Sequence, residues 1–193
     1  MKVVPCTIAD VLLVEPRVYG DGRGAFLETY NERAFAALGI QHHFVQDNLS
    51  ISKCDVIRGL HYQVRQPQGK LVRVIRGEVL DVALDLRRWS PTFGKHVVAR
   101  ISDKDHTALW IPPGFAHGFR ALSEVACFLY KTTDFYAPEF ERTIVWHDPE
   151  IGIDWGVKRE NAIVSEKDEA GALFSQAEVY EDEAALIATG QAL

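Results

Sequence analysis

The sequence predicts an all-β protein, either a sandwich or a barrel. Three observations carry that expectation. First, between residues 43 and 133 eight short apolar or alternating runs follow one another, each bounded by turn residues, and such succession without intervening helices is the pattern of a sandwich or barrel. Second, in Glu78–Leu86 the residues Val79, Asp81, Ala83 and Asp85 alternate with Leu80, Val82, Leu84 and Leu86, so that successive side chains point to opposite faces of one strand. The leucine-rich face reads as core. The other mixes small apolar groups with two carboxylates, as the inside of a barrel with a ligand cavity does; a sandwich strand with a wet outer face fits the pattern equally. Third, no linker, repeat or low-complexity tract divides the 193 residues, which suits one domain over residues 1–193.

Taken in order, Val11–Val14 is a short apolar run before Pro16 and reads as an edge strand, where proline is tolerated. Tyr19–Gly24 holds three glycines and an aspartate and reads as a loop or tight turn. Its G-x-G-x-G spacing is a poor dinucleotide fingerprint, because no strong strand precedes it and no long helix follows. Phe26–Tyr30 can form a strand. Asn31 then caps a helix of about two turns, with Phe35 and Leu38 at helical spacing and Gly39 as its stop. Strands are expected near His43–Ser50, Val56–Gln63, Lys70–Arg76, Glu78–Leu86, Lys95–Ile101, Thr107–Ile111, Gly118–Ala121 and Ala126–Thr133, with turns at Ser90–Thr92 and Ser102–Asp105. The barrel core is expected over about 43–148. An extension over about 149–193 follows, with a short apolar run at Ile151–Trp155 and a terminal helix at Glu181–Thr189, packed on or beside the barrel.

A net charge of -6 argues against a general nucleic-acid binder, which would show a basic stripe, yet leaves room for a small anionic ligand held by a few Arg and Lys. Cys6, Cys54 and Cys127 are odd in number and far apart. They fit neither a disulfide framework nor a zinc spacing, which points to a reducing compartment. The N-terminus has no signal-peptide run and no segment approaches membrane-helix length. The expectation is a soluble cytoplasmic protein with no membrane association.

Two stretches carry candidate chemistry. In a regular strand Arg58 and His61 would face opposite ways, but Gly59 between them allows a bulge that brings both to one site. A lone strand histidine is more often a hydrogen-bonded core or rim residue; Arg58, Gln63 and Lys70 nearby shift the balance toward a site. In Pro112-Pro113-Gly114-Phe115-Ala116-His117, two prolines and a glycine stiffen the turn before a histidine. Seen alone this is a strong turn with an exposed histidine. Together the stretches resemble the two motifs of a cupin, a small double-stranded β-helix. Pro112-x-Gly114-x-x-His117 is similar to the second motif, whereas His61-Tyr62-Gln63 lacks the second histidine of the usual H-x-H pair and Lys70 lies downstream. A protonated ammonium binds no metal, so no metal and no other cofactor is expected.

The fuller resemblance spans nearly the whole chain up to about Val179. It rests on Asp21-Gly22-Arg23-Gly24 with Phe26 and Glu28, Phe44–Asn48, Arg58–Gln63, Gly69–Val74, Trp110–Phe119, Leu129–Asp134 and Ser165–Asp168. In this order and spacing the chain resembles the dTDP-4-dehydrorhamnose 3,5-epimerase family. The resemblance implies a cupin-like double-stranded β-helix or jelly-roll barrel, with a short N-terminal helix and a small C-terminal helical segment. It implies a dTDP-sugar substrate and a homodimer. By match to the family, His61 is the base, Asp168 orients it, Lys70 stabilises the enolate and Tyr130 is the acid. Arg23, Phe26, Glu28, Gln46, Asp47, Asn48, Arg58, Lys70, His117, Tyr136, Glu141 and Lys167 match substrate-binding positions, with Tyr136 stacking on thymine. Without the resemblance, Tyr136 reads as a strand-edge aromatic, and Lys167 and Asp168 as solvated surface. The inward face of Asp81 suggests that it orients His117, and a buried structural carboxylate is the competing reading. Relatives inverting one carbon, a ketoisomerase of another deoxysugar pathway and a non-catalytic sugar-binding cupin are the alternative functions.

Overall fold

The computed structural model describes residues 1–187. In chain order the elements are β1 (Lys2–Pro5), β2 (Leu12–Glu15), β3 (Val18–Asp21), β4 (Gly24–Leu27), α1 (Glu32–Ala37), β5 (Gln46–Lys53), β6 (Ile57–Gln63), β7 (Lys70–Arg76), β8 (Glu78–Asp85), β9 (His96–Ser102), β10 (Ala108–Ile111), β11 (Phe115–Ala121), β12 (Val125–Thr132), β13 (Glu141–Thr143), α2 (Glu166–Glu169) and α3 (Ala184–Ile187). One sheet has the order β1-β2-β10-β7-β12-β5, a second β13-β6-β11-β8-β9, and β3-β4 stands apart as a hairpin. The two large sheets face each other. Val72, Leu109 and Phe128 from the first share one buried cluster with Val79, Ala83 and Phe119 from the second. The expected jelly-roll architecture is what forms, and the eight runs anticipated between residues 43 and 133 are β5 to β12.

Both faces of β8 are buried. Val79 and Ala83 enter the interior between the sheets. Val82, Leu84 and Leu86 pack outward under Trp146, Ile151, Trp155 and Tyr180 of the C-terminal extension. Burying Leu84 and Leu86 completely stabilises by roughly 2 kcal/mol each, which gives the extension its hold on the sheet. The run Ile151–Trp155 makes no strand; it contributes two buried side chains instead. Asp85 does not face a cavity. Its carboxylate accepts from Arg87 Nε (2.9 Å), Ser90 Oγ (2.7 Å) and Thr92 Oγ1 (2.6 Å) and so ties down the turn after β8.

The N-terminal region departs from expectation in two places. β2 is not an edge: Val3 pairs with Val14 and Pro5 with Leu12, so β1 takes the outermost position and carries the proline. The strand expected at Phe26–Tyr30 lies earlier, at Gly24–Leu27, and pairs with β3 across the tight turn expected in the glycine-rich stretch, Gly22–Arg23. The helix follows its capping signals. The Asn31 side chain accepts from the Ala34 N–H, and Phe35 is buried against Val14, Leu71 and Trp110. α3 lies within the predicted terminal helix; the remainder of that segment, after Ile187, is outside the described residues. Among the described residues no helix is long and apolar enough to cross a membrane.

Candidate active site

A cavity of about 550 Å³ opens between the sheets. β6 and β11 form one wall, and the bulge anticipated at Gly59 shapes it. His117 pairs with His61 and Phe119 with Arg58, so β6 spends three residues where β11 spends two. That extra residue turns Arg58 and His61 into the same cavity while Leu60 and Tyr62 pack outward. Glycine is required on both strands here. A Cβ on Gly59, at φ +121°, would sit 2.5 Å from the Gly118 Cα, and one on Gly118 would sit 2.7 Å from the Arg58 carbonyl oxygen.

His61 Nε2 lies 2.6 Å from Asp168 Oδ1, and Asp168 Oδ2 accepts from the Gly59 N–H at 3.2 Å. Asp168 is buried. Burial works against its charged form, but the hydrogen bond and charge of His61, with help from Gly59 and Ser165, outweigh burial and hold the carboxyl below its ordinary range. An ionised Asp168 takes the Nε2–H of His61, which leaves Nδ1 as the basic nitrogen. Asp168 is delivered by α2, a helix of one turn capped by the Ser165 side chain.

His117, also buried, meets Asp81 through Nε2 at 3.1 and 3.0 Å from the two carboxylate oxygens. The guess that Asp81 orients His117 therefore has the geometry it needs. Burial depresses the pKa of His117 despite Asp81. The rings of Phe119 and Phe128 stack at 4.2 Å, with the His117 ring 5.9 Å and the Tyr130 ring 6.0 Å from Phe128, and make an apolar floor. On the opposite wall Lys70 projects from β7 and Tyr130 from β12. Burial is the main cause that brings Lys70 down to about 8, with Asp81 and Glu141 opposing it. Burial and the charge of Glu141 push the Tyr130 phenol up, while Arg58 works the other way. The cavity thus presents an imidazole from one sheet and, from the other, a phenol and an ammonium whose Nζ lies 3.4 Å from the His61 carbonyl oxygen.

At the rim, Tyr136 Oη donates to Glu141 Oε2 at 2.8 Å, and Lys167 Nζ bonds the same oxygen. Burial opposes ionisation of Glu141, but the bonds from Lys167 and Tyr136 prevail and lower its pKa. On β5 the alternation sorts the predicted contacts. Gln46 and Asn48 share the inward face and bond each other at 2.9 Å, whereas Asp47 points outward to Lys131. Arg58 is steadied by Ser52 of the same inward row, at 3.1 Å. Arg23, Phe26 and Glu28 lie at the exposed hairpin and the segment after it, and none lines the cavity; Arg23 pairs with Asp21. The floor aromatics Phe119 and Phe128 escaped the sequence reading, as did the cap Ser165, although Ser165-x-x-Asp168 has the spacing of a helix start.

The model of the dTDP-4-dehydrorhamnose 3,5-epimerase family matches residues 5–176. The chain belongs to this family. The family's enzyme from Pseudomonas aeruginosa is 58% identical over 181 residues, covering 93% of this chain and 99% of the relative. A solved 3,5-epimerase from Legionella pneumophila, in complex with dTDP-4-keto-L-rhamnose, superposes with a TM-score of 0.90 at 44% identity, over 94% of this chain and 98% of that one. A dTDP-4-dehydrorhamnose 3-epimerase from Streptomyces niveus is more distant within the family, at 36% identity over 92% of this chain and 86% of its own length.

Proposed function

We infer that the protein is a dTDP-4-dehydrorhamnose 3,5-epimerase, an isomerase that inverts C3 and C5 of dTDP-4-dehydro-6-deoxy-D-glucose on the way to dTDP-L-rhamnose. The observation that carries this is that His61 on one sheet and Lys70 and Tyr130 on the other line one cavity. The C4 ketone acidifies the protons on both neighbouring carbons. His61 Nδ1 removes one, the electron pair moves into the C4 carbonyl, and the Lys70 ammonium meets the enolate oxygen. Tyr130 returns a proton from the opposite face, and Arg58 favours the phenolate so formed. His61 then holds the abstracted proton beside Asp168. Exchange with water resets both groups before the second centre reacts.

Substrate contacts belong to the same reading. Arg58, His117 and Lys167 supply the cationic or hydrogen-bonding lining suited to a diphosphate, Gln46, Asn48 and Glu141 the polar rim, and Tyr136 a platform for thymine. Asp47 is paired with Lys131 on the outer face of the sheet and is not among these contacts. Arg23, Phe26 and Glu28 sit too far out to serve their own cavity, and the exposed hairpin that bears Phe26 fits a homodimer in which it reaches a second copy. The cytoplasm, where nucleotide sugars are made, is the fitting location.

The test is incubation with the keto sugar in heavy water, with C3 and C5 read by NMR. Deuterium with inversion at both carbons is expected. His61→Ala and Tyr130→Phe should each lower kcat by roughly a hundredfold to ten-thousandfold. Inversion at one carbon only would make the protein a single-centre epimerase, and a bound sugar without exchange would remove the roles of His61 and Tyr130.

A further inference from the structure

Gln63 is 2% exposed, ends β6 two residues after His61, and does not line the cavity. A primary amide buried this far must find partners at both ends. It finds them on the main chain. Nε2 donates to the Gln66 carbonyl at 2.7 Å and to the Phe135 carbonyl at 3.2 Å, and Oε1 accepts from the Ala137 N–H at 2.9 Å. Phe135 and Ala137 flank Tyr136. The side chain thus pairs with residues 135 and 137 as a peptide group of a neighbouring strand would.

The residue between them is held as well. The Tyr136 N–H donates to Gln46 Oε1 at 3.0 Å, and its hydroxyl reaches Glu141, which pairs in register with Gln63 itself. Tyr136 is 52% exposed and stands on a segment without regular secondary structure. An exposed aromatic on such a segment is ordinarily free to turn. Here the peptide groups on both sides are clamped from within, so the direction of the ring is set before any ligand arrives, which lowers the entropic cost of binding.

We propose that Gln63 is a positioning residue, one that aims Tyr136 at the nucleobase and thereby sets affinity for the nucleotide half of the substrate without entering the chemistry. The proposal rests on the reading of Tyr136 as the thymine platform. It is tested with Tyr136→Ala, Gln63→Met, which keeps the length of the side chain and removes its hydrogen bonds, and the double variant. Each is titrated with dTDP by calorimetry and assayed for kcat at saturating keto sugar.

Tyr136→Ala should weaken dTDP binding roughly tenfold, the usual scale of one base–aromatic stack. Gln63→Met should weaken it several-fold with kcat unchanged, and the double variant should bind no more weakly than Tyr136→Ala alone, because both losses act through one ring. Additive losses, unaltered affinity in Gln63→Met, or a fall in kcat with affinity kept would each overturn the proposal; the last would place the effect on His61. Unaltered affinity in Tyr136→Ala would instead remove the platform reading, and the proposal with it. If Gln63→Met does not fold, Gln63→Glu, which keeps the acceptor for Ala137 and loses both donors, is judged by the same criteria.

Discussion

At the scale of single residues, Lys70 has the sharpest consequence. It is 7% exposed, and burial brings its pKa from 10.5 to about 8. Below about 8 the lysine is protonated in both folded and unfolded chains, so the full cost of burying the ammonium is present, on the order of 3 kcal/mol. Between about 8 and 10.5 the unfolded chain binds more protons, and this contribution to stability rises with pH. Lys70→Met should therefore melt above the wild type at pH 7, with an advantage that shrinks at alkaline pH; thermal melts across that range check it. Activity should move the other way. If the ammonium meets the enolate, kcat/KM falls as pH rises through about 8, and Lys70→Arg shifts that limb upward because guanidinium stays charged. Lys70 was legible as a site residue from its place after His61. Asp168 and Tyr136 were not, because a carboxylate in Ser-Glu-Lys-Asp-Glu and a tyrosine at a strand edge have the chemistry of ordinary surface until the fold brings them to the cavity; only the family resemblance singled them out.

At the scale of elements, α2 is the weak link in the site. A helix of four residues cannot sustain itself, yet it must hold Asp168 against His61. Besides Lys167, which bonds Glu141, and Asp168, which accepts from the Gly59 N–H, two further attachments steady it: the Ser165 cap and Glu169, which accepts from Trp146 Nε1 at 2.9 Å and pairs with Arg159. Glu169→Ala removes the second attachment. It should cost roughly tenfold in kcat/KM, about the worth of one charge-assisted hydrogen bond, and steady-state kinetics should show Glu169→Gln, which keeps an acceptor for Trp146, to be milder. The contrast with the barrel explains what sequence could reveal. β5 to β12 have alternation and turn residues that follow from burial on a pleated surface, so they were readable. β13 is Glu-Arg-Thr and takes strand form only because the edge of β6 accepts it. The β3–β4 hairpin has its four-residue strands almost wholly exposed, so no core-facing pattern marks it. Neither α2 nor β13 has a local signal strong enough to stand out.

At the scale of the molecule, the exposed apolar side chains ask for a partner. Phe26 is 72% and Tyr19 52% exposed on the hairpin, and Leu49, Ile51 and Ile75 are each more than half exposed on the outer face of the six-stranded sheet. A homodimer would cover such faces symmetrically and would account for Arg23, Phe26 and Glu28, which the family resemblance gives as substrate contacts and which do not line the cavity. Light scattering should give twice the subunit mass of 21.7 kDa. Complementation tests the sharing directly. Arg23→Ala and His61→Ala should each be severely impaired alone. After unfolding and refolding together in equal amounts, half of the dimers are mixed, and each mixed dimer has one site with both residues intact, so about a quarter of wild-type activity should return. If each subunit used only its own Arg23, every site in the mixture would carry one lesion or the other, and mixing would restore nothing.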